Sequence, residues 1–207
     1  GWLIPEWRNG LGADTAPVAE ALRSRAPVFL RVNLGKTDLA GARAALGAEG
    51  IAAVPHPLAT TALEVTANAR KVQTSEAYLT GLVELQDVSS QAVVEVLPLT
   101  DGLKVLDHCA GGGGKTLAMA ARARLRLWAH DANPRRMTDL PDRARRAGAT
   151  VQRTERPEAE APYDLVLVDA PCSGSGSWRR DPEGKWRLTP STLAQVVTTQ
   201  AEILDRV

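Results

Sequence analysis

Residues 104–116 read KVLDHCAGGGGKT, an apolar segment followed by four glycines and then by good helix formers. Val105, Leu106 and Cys109 predict the end of a buried strand, and residues 115–121 predict a helix. At such a junction the backbone approaches a ligand closely, and the start of the helix favours an anionic group. The segment therefore predicts a cofactor loop at the end of a strand.

Neither of two common glycine motifs fits this loop. The phosphate-binding loop requires glycine at the position of Cys109, and the dinucleotide fingerprint requires a third glycine at the position of Thr116. A flexible linker is the alternative, but linkers rarely join a buried strand directly to an apolar helix. We therefore interpret the segment as a cofactor loop of another kind.

Composition indicates a soluble globular protein in a reducing compartment. The chain has 207 residues, of which 44% are hydrophobic and 24% charged. No apolar run approaches the roughly 20 residues of a membrane span, and no signal-peptide pattern opens the sequence. Two cysteines argue against a disulfide framework, so we expect a cytoplasmic protein without membrane contact.

The net charge of +1 does not by itself indicate nucleic-acid binding, but the arginines are unevenly distributed. Arginine suits phosphate contacts, whereas on helices such a pattern is often only a solvated face, and both interpretations stay open. The arginines in question are Arg122, Arg124, Arg126, Arg135, Arg136, Arg143, Arg145, Arg146, Arg153 and Arg156.

Residues 1–77 predict a small α/β domain. The predicted elements are a helix from Thr15 to about Arg25, a strand over 27–33, a helix over 39–49 capped by Asp38 and closed by Gly50, and strands over 51–54 and 62–65. Arg31 and Asn33 alternate with apolar residues along the first strand. Polar residues on one strand suit a domain that contacts RNA with a sheet face.

Residues 78–207 predict a second domain. Asp87 is expected to cap a helix that ends before Pro98, and a strand over 127–130 ends at Asp131. An acidic side chain about twenty residues after a glycine loop can bind a ribose hydroxyl pair. The alternative role for Asp131 is a helix cap, but Asn133 before Pro134 already serves that purpose.

The later elements lead to a candidate active site. A helix over 135–147 should be interrupted at Pro141, and a third strand is expected over 149–153. Residues 163–169 form the most apolar strand, of the kind buried in parallel sheets, and it leads into DAPCSG at 169–174. Asp169 and Cys172 are thus candidates for chemistry, while Cys109 is expected to be buried and inert.

These motifs resemble those of the RNA cytosine-C5 methyltransferases that use S-adenosylmethionine, and the chain is most similar to the bacterial ribosomal RNA enzymes of the RsmB (Sun/Fmu) type. Residues 107–116 resemble the cofactor loop D-x-C-A-A-P-G-G-K-T, and residues 169–174 match the D-A-P-C-S-G signature. The resemblance covers nearly the whole chain. Further matches are RRDP at 179–182, KW at 185–186, QDVSSQ at 86–91 and the LRVN strand at 30–33.

The resemblance implies a Rossmann-like, doubly wound methyltransferase domain preceded by a small α/β domain that contacts RNA. It implies that Asp131 holds the ribose of S-adenosylmethionine, that Glu155 lies near the adenine, and that Asp169 faces both cofactor and base. It implies that Cys172 assists product release after a thiolate has added to carbon 6 of the cytosine. The loop residues that would line the methionine part are Cys109, Ala110, Gly111, Gly112, Gly113, Gly114 and Lys115.

The sequence departs from the family pattern at three points. Gly111 and Gly112 replace Ala-Pro, and Glu155 replaces an aspartate. The T-C motif that carries the attacking cysteine does not occur before Val207, and family members usually carry a further helical RNA-binding domain before the segment that opens this sequence. From the sequence we therefore expect a methyltransferase domain that is incomplete at its C-terminus, binds cofactor, and transfers no methyl group unless it is extended.

The function implied is methylation of carbon 5 of a cytosine in RNA, with 16S ribosomal RNA of the small subunit as the expected substrate. We expect a monomer that requires no metal. One alternative is a catalytically inactive RNA-binding or assembly module that keeps the fold, and another is action on a different RNA such as tRNA. A methyltransferase for proteins or small molecules would not need Cys172.

Overall fold

The computed structural model describes residues 1–207. The strands are β1 Val28–Val32, β2 Ala52–Pro55, β3 Ala62–Ala67, β4 Val83–Leu85, β5 Lys104–Asp107, β6 Arg126–Ala129, β7 Gln152–Arg153 and β8 Leu165–Leu167. The α-helices are α1 Leu3–Leu11, α2 Thr15–Ala21, α3 Leu39–Ala48, α4 Glu76–Leu79, α5 Val88–Glu95, α6 Gly114–Ala120, α7 Leu140–Ala147, α8 Gly184–Arg187 and α9 Pro190–Leu204. Short 3₁₀ helices span Gly12–Asp14, Ala69–Thr74, Pro134–Met137, Pro157–Glu160 and Ser175–Ser177.

The chain divides into two compact units, residues 27–169 and residues 1–26 with 170–207. In the larger unit, β1 to β4 form an antiparallel sheet of order β2-β3-β1-β4. Leu30, Val32, Leu46 and Leu63 are fully buried where this sheet packs against α3. The strand β4 follows residue 77 and pairs with β1, so this sheet extends past the predicted domain boundary, and the division at residue 77 stays a prediction.

The second sheet of the larger unit is parallel, with the order β7-β6-β5-β8. The chain runs outward from β5 through β6 to β7 and then returns to the opposite side of β5 at β8. This reversal makes the sheet doubly wound, as predicted, and ligands of such sheets bind where the strand order reverses. The glycine loop follows β5 and therefore begins at the point of reversal.

Several local predictions are confirmed because short-range chemistry sets them. The side chain of Asp38 accepts a hydrogen bond from the Gly41 N–H at the start of α3, and Asp87 caps α5 in the same way through Ser89. Asn133 caps the Pro134–Met137 turn. The helix expected over 135–147 is interrupted before Pro141, which lies in the first turn of α7.

Other predictions were wrong in extent. The helix from Thr15 ends at Ala21, the third parallel strand is only Gln152–Arg153, and α1 was not predicted. The apolar strand expected over 163–169 is reduced to β8, which is only partly buried except at Leu167. It lies at the edge of the sheet, where one side of the strand has no pairing partner.

The smaller unit contains α1, α2, α8 and α9. The Arg179 guanidinium donates to the Ser24 hydroxyl at 2.8 Å and to the Arg25 carbonyl at 2.7 Å, and the Gln200 side chain donates to the Pro171 carbonyl at 2.8 Å. These bonds tie the first residues of the chain to the segment after residue 170. None of the helices in either unit combines the length and apolar character that a membrane span requires.

Candidate cofactor site

The residues predicted to bind a cofactor follow four neighbouring parallel strands. The glycine loop follows β5, Asp131 follows β6, Glu155 follows β7 and Asp169 follows β8. Because the strands are parallel and adjacent, their carboxyl ends meet at one edge of the sheet. The structure thus gathers at one edge residues that are up to 60 positions apart, from Cys109 to Asp169.

The glycine loop turns tightly between β5 and α6. Gly111 and Gly113 have φ values of +51° and +79°, a region that residues with a Cβ atom rarely adopt. A Cβ atom at Gly113 would lie 2.3 Å from Cδ1 of Leu140, a core residue of α7. Glycine at this position therefore permits both the turn and the close packing of the loop against α7.

Asp131 fixes the position of the loop. Its carboxylate is 4% exposed and accepts from the Gly111 N–H at 2.9 Å through Oδ2 and from the Asn133 N–H at 2.9 Å through Oδ1. The Arg136 guanidinium lies 3.3 Å from Oδ2. Asp131 is thus buried and held by the loop and by Arg136, and Oδ1 keeps a further lone pair for a ligand.

A second set of charges holds the loop from the side of the first sheet. The Arg143 guanidinium donates to the Gly112 carbonyl, and its Nε lies 3.4 Å from the Glu84 carboxylate on β4. Arg146 binds the same carboxylate at 2.8 Å. Glu84 is buried, and a buried carboxylate is stabilised only when it is paired in this way.

Sequence analysis left open whether the arginines of residues 122–156 contact phosphates or form a solvated face, and the structure assigns some of them to ion pairs. Arg143 and Arg146 are not a solvated face, because they are largely buried and bind the Glu84 carboxylate. Arg136 is exposed, yet it pairs with Asp131 beside the loop. Arg124 and Arg145 form exposed pairs with Asp101 and Asp142.

Arg31 and Asn33 do not form an open RNA-binding face. Both are buried: Arg31 donates to the Gln86 side chain at 2.7 Å, and Asn33 donates to the Gly81 carbonyl at 3.1 Å and the Ala147 carbonyl at 2.9 Å. Burial lowers the pKa of Arg31 to about 10. These two side chains join the first sheet to the elements around the cofactor loop, so their predicted availability to RNA was wrong.

Lys115, the last residue of the predicted cofactor loop, binds Asp169. Its Nζ lies 2.6 Å from Oδ2 of Asp169 and 3.4 Å from the Ser90 hydroxyl of α5. The Lys115 side chain is 13% exposed and that of Asp169 is 52% exposed. Solvent screening makes such a pair a small contribution to stability, so its main effect is to fix the orientation of the Asp169 carboxylate.

Asp107, at the end of β5, lies beneath the loop. It is fully buried, and Oδ2 accepts from the Thr116 hydroxyl at 2.6 Å while Oδ1 has no hydrogen-bond partner. Burial raises the pKa of Asp107 to about 6; the nearby charge of Asp169 adds to this rise, whereas the Thr116 hydrogen bond and the charge of Lys115 oppose it. Asp107 begins the segment that resembles the family loop, but no feature of the sequence predicted its burial or the unpaired Oδ1.

We expect Asp107 to make stability fall between about pH 4 and pH 6. Its pKa in the folded chain lies above the ordinary value of 3.8, so the folded state binds the proton more tightly and this stabilisation is lost as the pH rises through about 6. Asp107→Asn should flatten that decline, by an amount on the order of 3 kcal/mol. Urea unfolding at several pH values measures the effect.

Asp101→Asn is the matched control for Asp107→Asn. Hydrogen bonds from Arg124 hold the pKa of Asp101 below its ordinary value, so Asp101 stabilises the chain above that value and loses this effect as the pH falls. An unchanged pH profile for Asp107→Asn would contradict the expectation.

The two cysteines differ in environment. Cys109 is partly rather than fully buried, because it lies two residues past the end of β5. Its pKa is raised, chiefly by burial and further by the charges of Asp131, Asp107 and Asp169, so it stays a thiol at neutral pH and a poor nucleophile. Cys172 belongs to the smaller unit and is exposed.

Sequence reasoning missed several residues at this edge. Arg136 and Arg143 hold the loop, and the rings of His108 and His130 lie 5.0 Å apart after β5 and β6. Helical spacing offered a signal for Arg143, since it shares the face of α7 that carries the buried Leu140 and Ala144. Glu155 is exposed, and its predicted contact with adenine stays a prediction.

Comparison with known proteins identifies the family. Residues 94–207 match the 16S rRNA methyltransferase RsmB/F family. The chain belongs to this family. Residues 1–73 match the RsmF/B-like ferredoxin-like domain, so the chain combines a ferredoxin-like domain with a methyltransferase domain of the RsmB/F family.

The relatives of this RsmB/F family chain are longer than the chain itself. Ribosomal RNA small subunit methyltransferase B of Salmonella arizonae is 34% identical over the whole chain, which spans 50% of that protein. The protein of the same name from Salmonella newport is 33% identical and is also covered to 50%. The chain thus spans about half the length of the curated relatives it matches.

Solved structures agree with the family assignment. The crystal structure of PH0851 superposes with a TM-score of 0.89 at 28% identity, over 99% of this chain and 48% of that one. A methyltransferase homolog protein from Pyrococcus horikoshii gives 0.73 at 26% identity, over 83% of this chain and 59% of that one. NSun6 from Pyrococcus horikoshii, solved with SFG, gives 0.71 at 15% identity over 83% of this chain and 70% of that one, which shows the shared fold alone.

Proposed function

We propose that the chain binds S-adenosylmethionine at the carboxyl edge of its parallel sheet and takes part in methylation of carbon 5 of a cytosine in ribosomal RNA of the small subunit. The observation that carries the proposal is the 2.6 Å contact between Lys115 and Asp169. It joins the last residue of the glycine loop to the first residue of the DAPCSG motif. A cofactor loop is thereby linked to an acid suited to act on the base.

The residues present fit S-adenosylmethionine. Glycines at 111 and 113 allow the loop backbone to turn without side chains that would cover it, and Asp131 offers carboxylate oxygens beside the loop. Carboxylates at the end of the second strand of such sheets bind ribose hydroxyls. The loop residues Cys109 to Lys115, with Asp131, Glu155 and Asp169, are the proposed cofactor contacts.

When bound, S-adenosylmethionine supplies an electrophilic methyl group. Carbon 5 of cytosine is a poor nucleophile until a thiolate adds to carbon 6 of the ring. In this proposal the Asp169 carboxyl group hydrogen-bonds the ring nitrogen edge during that addition, with its orientation fixed by Lys115. The Cys172 thiol assists release of the product, and the target base must leave its stack to enter the site.

The proposal also covers the cellular setting. We infer ribosomal RNA as the partner from the relatives' names, a cytoplasmic location from that substrate, and a chain that acts as a monomer. The domain of residues 1–77 stays a candidate for RNA contact, although through residues other than the buried Arg31 and Asn33.

Calorimetry with S-adenosylhomocysteine tests the cofactor site. Asp131→Ala should weaken binding by about 1.5–3 kcal/mol, because it removes a charged acceptor and also releases the Gly111 N–H. Asp131→Asn keeps one acceptor without the charge, so its affinity should lie between those of the wild type and Asp131→Ala.

Asp139→Ala is the control, since Asp139 precedes α7 without a side-chain capping bond. If Asp131→Ala binds S-adenosylhomocysteine with wild-type affinity, the role of Asp131 is structural only. A folded wild-type chain that gives no heat at millimolar ligand would overturn the proposed function and favour a module that keeps the fold without a cofactor.

A further inference from the structure

A groove runs along the amino edge of the parallel sheet, at the opposite end of the strands from the cofactor loop. Asp101 precedes β5, Arg126 is the first residue of β6 and Thr150 precedes β7, and all three line a cavity of about 520 Å³. A second cavity of about 180 Å³ adjoins it and shares Gly35 and Gly148. Both cavities lie within the larger unit. Small residues make up much of the lining, namely Gly35, Ala120, Ala121, Ala123, Gly148 and Ala149.

Three residues of the arginine-rich segment line this groove. Arg122, Arg124 and Arg126 stand at alternate positions of the sequence, and all three are exposed. The Arg122 guanidinium donates to the Val94 carbonyl, which carries no net charge. The Arg126 guanidinium reaches the Asp164 carboxylate only at 4.0 Å. These contacts leave most of the positive charge of Arg122 and Arg126 available to a ligand.

The groove carries more basic than acidic groups. Arg124 is closely paired, because its Nη2 lies 2.6 Å from the Asp101 carboxylate. Lys36, which lines the second cavity, binds only carbonyl oxygens, those of Thr80 at 2.7 Å and Arg146 at 2.6 Å. Four basic side chains thus face two carboxylates along the groove. The helices α6 and α7 end here and contribute no positive charge, so these side chains supply the attraction for an anion.

The arrangement of the arginines favours a chain of phosphates as the ligand. A guanidinium group is a planar fork that binds two phosphate oxygens at once. Three such groups at alternate positions form a row, which suits successive phosphates better than a single one. The lining includes no aromatic ring on which a base could stack. The groove is therefore suited to a nucleic acid backbone and not to its bases.

We propose that this groove binds the phosphate backbone of the RNA substrate as a contact separate from the cofactor edge. The proposal rests on the proposed function, which supplies RNA as the partner. Strand β6 has four residues and spans roughly 13 Å between the groove and the cofactor edge. An RNA that presents a base at the cofactor edge therefore has phosphates within reach of the groove. Backbone contacts of this kind fix the register of the RNA and do not read its sequence.

Fluorescence anisotropy with a labelled single-stranded RNA measures this contact on the full chain. The double variant Arg124→Gln with Arg126→Gln removes two positive charges and keeps polar side chains. It should weaken RNA binding about threefold to thirtyfold, the effect of two exposed ion pairs. The slope of log affinity against log salt concentration should become shallower by about 1.4, because each phosphate contact with a single strand contributes about 0.7.

The double variant Arg23→Gln with Arg145→Gln is the matched control. The two side chains are 76% and 77% exposed, each pairs with an acid three residues earlier, and neither lines the groove. This variant removes the same net charge, and salt screens such a change at a distance. Its affinity for RNA should stay within about twofold of the wild type, with an unchanged salt slope. Thermal unfolding confirms that both double variants are folded.

Three results would overturn the groove as an RNA contact. One is wild-type affinity in Arg124→Gln with Arg126→Gln, and another is an equal loss in the control variant, which would assign the effect to net charge alone. The third comes from competition. Unlabelled RNA should displace the labelled strand far better than polyglutamate of the same total charge does, whereas equal displacement would assign the groove to an acidic protein.

Calorimetry with S-adenosylhomocysteine separates this inference from the proposed function. Both double variants should bind it as the wild type does, because the groove lies at the other edge of the sheet. If the wild type binds S-adenosylhomocysteine but not RNA, the cofactor site stands and this inference falls. If the wild type binds RNA through the groove but gives no heat with S-adenosylhomocysteine, the groove stands and the proposed function falls.

Discussion

Replacing Gly81 by alanine should destabilise the chain by about 3 kcal/mol or more. Gly81 has a φ of +76°, and a Cβ atom there would lie 2.2 Å from the carbonyl oxygen of Arg146. Because the obstructing atom belongs to the backbone of α7, it cannot move aside as the end of a side chain can. The left-handed conformation adds about 1–2 kcal/mol to the cost of this overlap.

Urea unfolding of Gly81→Ala measures the effect, and Gly102→Ala is its control. Gly102 has a φ of +90° but has no atom within 4 Å of the position of a Cβ. Gly102→Ala should therefore lower the free energy of unfolding only by the conformational cost of about 1–2 kcal/mol. Equal losses of stability for the two variants would show that the close packing of Gly81 against α7 does not contribute to stability. The site would also be affected, because the Gly81 carbonyl accepts from Asn33, which also binds the Ala147 carbonyl at the end of α7.

Replacing Gly113 by alanine should reduce the affinity for S-adenosylhomocysteine at least about tenfold. The residue has a φ of +79°, and its new Cβ would lie 2.3 Å from Cδ1 and 3.2 Å from Cγ of Leu140. Leu140 is buried in the core and cannot rotate away without disturbing α7. The loop must then shift away from the geometry that binds the ligand. A loss of about 1.4 kcal/mol in binding free energy already lowers the affinity tenfold.

Gly112→Ala is the matched control for this loop. Its Cβ would meet Nη1 of Arg143 at 2.9 Å, and the end of a long, partly exposed side chain can move. We expect its affinity to stay within about threefold of the wild type. Calorimetry on both variants, with thermal unfolding to confirm that they are folded, decides the matter. Gly113→Ala binding as tightly as Gly112→Ala would contradict the assigned role of Gly113.

The two predictions concern glycines that the sequence does not distinguish. The four glycines at 111–114 form one run in the sequence, yet only those at 111 and 113 adopt positive φ, and only Gly113 packs against Leu140. Nothing in the sequence around Gly81 distinguishes it from the other glycines of the chain. In both cases the difference comes from a residue of α7, which lies more than 25 positions along the chain.

The sequence was a reliable guide wherever a short segment controls its own conformation. The junction of strand, glycine turn and helix at β5 and α6, the caps at Asp38, Asp87 and Asn133, and the interruption before Pro141 all depend on neighbours within a few residues. The doubly wound sheet was implied by the resemblance of the motifs to the family, and the strand order confirms it. The motifs identified the family because they span nearly the whole chain.

The apolar character of a segment did not by itself predict its burial correctly. The segment at 163–169 is apolar enough for a central strand, but β8 is an edge strand that is only partly buried. Cys109 was expected to be buried, and it is only partly so, because the chain leaves the sheet at Asp107. Strand position depends on which strands pair, and a single segment does not carry that information.

By itself, therefore, the sequence determined most of the local elements, the α/β class, the glycine turn between β5 and α6, and the family. Only the tertiary structure decided which polar groups are buried and what they bind: Arg31 with Gln86 across 55 positions, and Glu84 with Arg143 across 59. The physical reason is that a buried charge is tolerated only with a partner, and the partner is brought near by the packing of distant elements. The same side chains alternate along a strand like surface residues, so their pattern could not reveal that they are buried against distant segments of the chain.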